Sequence, residues 1–298
     1  MVGPTAIGKS EAAVYLAKKI NAEIISCDSM QVYKGMDILT SKPPAKLLKG
    51  IAHHLIGIVS LEKEYNVSKY SRVALKNVKE IIRLGKVPLF VGGAGLYMNI
   101  LLDGIFKART ENKAVRIRLY KQAGRFGSAY LYTRLKKVDA QAAGKIHPHD
   151  TRRIVRALEV FEVSGRPISE LQKQRQGFLA DYDVNVFCLD RKRPDLYRRI
   201  DERVDKMFSG GLVNEVRGLL KKRLSRTAVR AIGIRELKGY FNREYDLEEA
   251  KRLIKHNSRI FAKRQLTWFR KDRRIIWVKA GKEEKPQRIA NRIWKRFS

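Results

Sequence analysis

Apolar positions recur along this chain in two rhythms. From 66 to 84, NVSKYSRVALKNVKEIIRL sets Tyr70, Val73, Ala74, Val78, Ile81 and Ile82 on one face, the period of an amphipathic helix. Gly85 predicts its end. AEIISCDSMQVY reads instead as a short apolar strand ending at Asp28. Before it, EAAVYLAKKI spaces Ala13, Leu16, Ala17 and Ile20 helically, so Ser10 opens a helix. KVPLFVGGAGLYMNILL repeats strand, glycine turn and helix. Strands alternating with helices predict a parallel α/β sheet flanked by helices, with sites at the strand C-terminal ends.

Between about 110 and 182 the strand rhythm disappears, and Arg, Lys, Ala and Leu at helical spacing take over. DVNVFCLD at 183–190 returns to the sheet. Helices follow around 195–208, 212–223 and 247–270, then a last strand in RIIWVKA at 274–280. The expected organisation is a discontinuous core of residues 1–109 and 183–298, its C-terminal part mainly helical, interrupted by a helical insertion at 110–182.

Residues 3–10, GPTAIGKS, fit G-x-x-x-x-G-K-[ST], a loop whose backbone N–H groups wrap a phosphate chain. Gly3, Pro4, Thr5, Ala6, Ile7, Gly8, Lys9 and Ser10 are therefore the expected diphosphate- or nucleotide-binding loop, at a helix N-terminus whose dipole favours an anion. The Lys9 ammonium suits two phosphates, and the Ser10 hydroxyl suits Mg²⁺. Such a loop normally leaves a buried strand, yet only Met1 and Val2 precede it; that strand is either unusually short or incomplete in this sequence.

Charge changes the picture. Lys and Arg outnumber Asp and Glu by 64 to 30, a net charge of +34, and residues 183–298 alone carry 33 basic against 15 acidic side chains. A polyanionic partner is the economical explanation, nucleic acid ahead of a membrane surface. A generally basic proteome is the bland alternative. Cys27 and Cys188 lie inside apolar runs and read as buried thiols of a reducing compartment; the five histidines share no metal spacing with them. No run approaches a membrane span and no signal-peptide pattern opens the chain, so a cytoplasmic protein without membrane association is expected.

Asp28 and Asp190 both end strand-like runs and could each serve as an acidic partner of the loop; capping a strand is the plain alternative, favoured for Asp190. In CDSMQVY, Asp28 stands with Ser29, Gln31 and Tyr33, a set suited to read a base edge and accept a proton. VGGAGLY at 91–97 is a second glycine turn that admits close backbone approach, or simply a tight turn. Arg152, Arg153 and Arg156 share a helical stretch, for which a solvated basic face is by itself the better reading. Arg193 and Arg199 could close over phosphates with bidentate forks. Trp268 and Phe269 in KRQLTWFRKDRR fit nucleic acid or core packing equally.

Together these strings resemble the tRNA dimethylallyltransferases. The likeness runs in order through GPTAIGKS, DSMQVYKGMDI, SKP, HHLI, VGGAGLY, HPHDTRRIVRALEV, RPDLYRRIDERVDKMFSGGLVNEV, RAIGIRELKGY and AKRQLTWFR. It implies a core like a P-loop nucleotide kinase with a helical insertion contacting tRNA. The implied reaction moves a five-carbon group from dimethylallyl diphosphate to N6 of adenosine 37, in tRNAs reading codons that begin with U. The loop would then hold a diphosphate leaving group. The resemblance further implies Asp28 as general base, with Lys9, Arg193 and Arg199 and a Ser10-held Mg²⁺ at the diphosphate. Asp28, Ser29, Met30 and Gln31 would hold the flipped adenine, and Ala94, Arg116, Arg152, Arg153, Ile154, Val155 and Arg156 would also bind the tRNA. A monomer is expected.

Four positions depart from the family pattern: Ala94 stands for Thr in VGGTGLY, Gly57 for the acid of HHLID, Leu39 for a glycine, and Ile234 for Tyr. Three rivals follow. An ATP-dependent kinase on the same loop predicts steady ATP turnover. An adenylate isopentenyltransferase using free AMP has no need of the C-terminal charge. A basic RNA-binding protein with a vestigial loop predicts binding without chemistry.

Overall fold

The computed structural model describes residues 1–48, 50–106, 110–177 and 181–296. The chain divides into two compact units, Met1–Asn99 with Asp183–Ser298, and Ile100–Tyr182. The division falls at Ile100, inside a helix, while the core boundary expected at 109 lies outside the described residues.

In the first stretch of the larger unit, α1 (Lys9–Lys19), β1 (Ala22–Cys27), α2 (Ala45–Leu48), β2 (His53–His54), α3 (Val67–Arg83) and β3 (Val87–Gly92) follow one another. Asn66 caps α3 by accepting from the Lys69 amide at 2.9 Å, and Tyr70, Ala74, Val78 and Ile81 are the buried stripe that the period demanded. Next, α4 (Gly95–Asp103) carries the chain into the second unit.

The smaller unit is helical: α5 (Lys113–Val138), α6 (Ala140–Ala143), α7 (Thr151–Ser164) and α8 (Ile168–Lys173). α5 is not straight. Gly127, at φ 80° and ψ 164°, breaks it into two arms. Arg134 donates to Gln122 at 2.8 Å, although twelve residues of straight helix span about 18 Å, so the arms fold back as a hairpin. Leu119, Leu131, Leu135, Ile154 and Leu158 close the core of this unit.

The chain re-enters the larger unit as β4 (Val186–Asp190), then α9 (Arg193–Ser209), α10 (Leu212–Leu220), a short 3-10 turn, α11 (Ile234–Phe241), α12 (Leu247–Phe269), β5 (Ile275–Lys279) and α13 (Pro286–Trp294). Every strand pairing is parallel: β2 with β1, β1 with β3, and β4 with β5. Val2 joins the two groups, bridging Gly92 and Cys188. Its amide donates to Phe187 O at 2.7 Å, and Leu189 N donates back to Val2 O at 3.0 Å. Two residues thus occupy the place of the central strand, in the order β2-β1-β3-Val2-β4-β5. Leu16, Ile24, Val91, Leu189 and Ile200 belong to the core cluster that α1, α9 and the sheet share. Among the described residues no helix is long and apolar enough to cross a membrane.

Candidate active site

All strands being parallel, their C-terminal ends bring together the loop after Val2, Asp28 after β1, the glycine turn after β3 and Arg191 after β4. The loop needs its glycines. Gly3 has φ +146° and Gly8, capping α1, has φ +100°. A Cβ on Gly3 would lie 3.2 Å from Leu189 O. Lys9 folds back and its Nζ donates to Pro4 O at 2.7 Å. Burial pushes its pKa down to about 8, with Asp28 opposing the shift and Arg203 adding to it.

Guanidinium groups surround this loop. Arg199 Nε donates to Ala6 O at 3.0 Å, and Arg191 Nε donates to Ile7 O at 3.1 Å. An added Cβ at Gly8 would lie 3.6 Å from Arg199 Nη2 and 3.9 Å from Arg191 Nη2. Arg203, one turn after Arg199 on α9, donates to Thr5 Oγ1 and, at 2.9 Å, to Ser41 Oγ. Arg193 does not join them. It is exposed, and its Nε donates to Tyr197 Oη at 3.0 Å, because the start of α9 turns it away from the loop. Sequence reading chose Arg193 and passed over Arg191 and Arg203; the four-residue spacing of Arg199 and Arg203 was the available signal.

Asp28 closes β1. Its Oδ1 accepts from the amides of Met30 at 2.8 Å and Gln31 at 3.3 Å, while Oδ2 makes no hydrogen bond to the described residues. One oxygen is anchored and the other is available to a proton. Ser29 and Met30 are half-buried beside it. The Gln31 side-chain amide accepts from Ser26 Oγ at 3.1 Å and donates to Thr40 O and Ser41 O at 3.3 Å each, so it braces the 40–41 loop. That loop is held further by Glu215, whose carboxylate accepts from the amides of Asp37, Ile38 and Leu39 at 2.8–3.0 Å.

The second glycine turn packs onto the end of β1. Ala94 N donates to Cys27 O at 3.1 Å, and a Cβ on Gly92 would lie 2.0 Å from that same oxygen. Behind it, Tyr70 stacks on Tyr97 at 4.0 Å between centroids and donates to Ser26 O at 3.1 Å. Cys27 and Cys188 are free, buried thiols, each pushed up to about 12 by burial. They are packing residues here, not nucleophiles.

Ser10 is exposed in the first turn of α1, and its hydroxyl makes no hydrogen bond to the described residues. One free hydroxyl beside an anion loop fits Mg²⁺, which takes few protein ligands and completes its shell with phosphate oxygens and water. Among the described residues no cluster of three His, Cys, Asp or Glu could hold a metal alone. Asp190 simply ends β4, paired with Lys279.

In the helical unit, Arg152 is exposed and Arg153 is exposed while pairing with Asp150, the cap of α7. Ile154 and Val155 are 0% and 1% exposed, inside the core cluster, on the side of the helix opposite the exposed Arg152 and Arg153. Arg116 and Arg156 are half-buried and engaged. Glu159, 0% exposed, accepts from Arg116 Nη2 and Arg156 Nη1 at 2.8 Å each and from the Asn112 amide at 3.0 Å. Burial alone would raise the Glu159 pKa, but the two arginines hold it below the usual range. Their first duty is structural.

A model of the IPP transferase family matches residues 31–272. The tRNA dimethylallyltransferase of Moorella thermoacetica is 46% identical over 284 residues, covering 93% of this chain and 88% of its own. That of Halothermothrix orenii is 43% identical over 280 residues, 93% of this chain and 85% of its own. Among solved structures, the tRNA isopentenylpyrophosphate transferase of Bacillus halodurans superimposes with a TM-score of 0.71 at 36% identity, over 99% of this chain and 94% of that one. A eukaryotic dimethylallyltransferase acting on tRNA reaches a TM-score of 0.79 at 28% identity, over 93% and 72%. The chain belongs to the IPP transferase family, the prenyltransferases that include the tRNA dimethylallyltransferases.

Proposed function

We propose that this enzyme transfers the dimethylallyl group of dimethylallyl diphosphate to N6 of adenosine 37 in the anticodon stem-loop of tRNAs reading codons that begin with U. The observation that carries the reading is the meeting, at the strand ends, of an anion loop ringed by Lys9, Arg191, Arg199 and Arg203 with one carboxylate, Asp28, whose Oδ2 is unengaged. Family membership supplies the reaction class.

The core is read as a P-loop nucleotide-kinase fold turned to a different anion. The loop amides and the cations hold the diphosphate. As N6 forms its bond to C1 of the dimethylallyl group, the C1–O bond breaks and its electron pair leaves with the diphosphate. Lys9 and the arginines stabilise that charge where it develops. Asp28 takes the proton that N6 loses; an exocyclic amine becomes acidic only as it attacks, so the base must already be in place. Ser10 would hold Mg²⁺, which would supply positive charge against the leaving group. Ser29, Met30 and Ala94 border the place of the flipped adenine. Arg152 and Arg153 supply phosphate contacts from the helical unit, and the protein acts as a cytoplasmic monomer.

The test is incubation of unmodified tRNA bearing A36-A37-A38 with the protein, dimethylallyl diphosphate and Mg²⁺, followed by mass spectrometry. One C5H8 addition at A37 is expected. Steady ATP hydrolysis without such addition would favour a kinase.

A further inference from the structure

Gln265 on α12 is only 6% exposed, yet its amide serves both glycine turns. Oε1 accepts from the Thr5 amide at 2.9 Å, and Nε2 donates to Gly93 O at 2.8 Å. The approach depends on a missing side chain, since a Cβ on Gly93 would lie 2.2 Å from Nε2. Trp268 extends the same helix face: a Cβ on Gly95 would meet its indole at 2.3 Å, and its Nε1 donates to Asn99 Oδ1 at 3.3 Å. After Gly93 comes Ala94, whose amide donates to the carbonyl of Cys27, the residue before Asp28. Hydrogen bonds therefore run from Thr5 in the anion loop, through one buried side chain, to the strand end that carries the carboxylate. A side-chain amide offers an acceptor for one backbone N–H and a donor for another backbone C=O on the same rigid group, without needing a particular protonation state. With the side chain buried, neither partner is cheaply left alone.

We infer that Gln265 is a positioning residue for prenyl transfer. It fixes the anion loop and the turn behind Asp28 in one register, so filling the loop and orienting the carboxylate are linked. The inference rests on the proposed reading of both turns as parts of one site.

Two substitutions separate its two bonds. Gln265→Met keeps the length and removes both. Gln265→Glu keeps the acceptor for Thr5 and loses the donor for Gly93 while ionised; a buried neutral acid regains that donor. Pyrophosphate binding with Mg²⁺ is measured by calorimetry, and transfer kinetics are measured per folded molecule. The Met variant should bind pyrophosphate about fivefold or more weakly, with kcat falling further than KM rises. The Glu variant's deficit, taken as a ratio to unaltered protein at each pH, should shrink as pH falls from about 8 to about 6. A glutamine that merely stabilises the fold would lower the melting temperature and leave these ratios flat. Should the Met variant fail to fold, the pH ratio of the Glu variant carries the test. Affinity and kcat within twofold of the unaltered protein at every pH would overturn the inference alone. An unaltered protein that binds no pyrophosphate overturns the anion-loop reading, and this inference with it.

Discussion

Lys9 turns back across its own loop to place Nζ 2.7 Å from the carbonyl oxygen of Pro4, within electrostatic reach of Asp28. Burial has stripped enough water from this ammonium to bring its pKa down to about 8, so an arriving anion pulls it back up. Pyrophosphate affinity should hold steady below pH 8 and weaken as pH rises past it. Lys9→Ala should weaken binding and remove the slope, and Lys9→Arg should remove the slope alone. Stability should move the opposite way. Between about 8 and the ordinary lysine value the unfolded chain holds the extra proton, so unfolding free energy rises with pH there. Calorimetry and thermal melts across pH 7 to 10 check both signs.

Arg203 and Arg193 lie ten residues apart in sequence on one helix and have opposite surroundings. Arg203→Ala should lower kcat/KM for the diphosphate donor by about a hundredfold, because a preorganised cation is lost at the developing charge. Arg203→Lys should recover little, since its contacts to Thr5 and Ser41 use the fork. Arg193→Ala should stay within about twofold, as an exposed group should. Steady-state kinetics of the three variants decide this.

In the helical unit, Glu159→Ala should cost about 3 kcal/mol of that unit's stability, because it strands Arg116 and Arg156 without their buried counter-charge. Arg152→Ala should leave stability unchanged and reduce the salt dependence of tRNA binding by about one unit of slope. Denaturation curves and binding at several salt concentrations separate the two roles.

Ala94 sits where the resembled family carries Thr, at the turn that bonds Cys27. Ala94→Thr should raise the transfer rate several-fold with pyrophosphate affinity unchanged, since the turn it would occupy is bonded to the end of the strand that carries Asp28. Single-turnover rates on tRNA check it.

What the sequence made legible was local. The stripe and cap of α3, the strand ending before Asp28 and the two glycine turns each follow from residues a few positions apart. Strand β2 escaped because two histidines carry no period, and its place is fixed only by pairing with Ile24 and Ile25. Val2 likewise becomes a strand through partners some ninety and more residues away. In the candidate site, the glycine loop and the strand end at Asp28 follow from spacing. The bonds of Gln31 to the carbonyls of Thr40 and Ser41, and of Arg116 to Glu159, join residues far apart in sequence and were not legible there. Gln265 and Glu215 act wholly through distant backbone groups, which no periodicity reveals.

The central claim is that Asp28 accepts the proton of the attacking amine at a site built for a leaving diphosphate. The most direct measurement is single-turnover transfer from dimethylallyl diphosphate to tRNA by the protein and by Asp28→Ala, with tRNA affinity measured alongside. Transfer reduced by about a thousandfold, with tRNA binding within a few-fold, is the predicted result. An Asp28→Ala protein that modifies tRNA at the unaltered rate would contradict it.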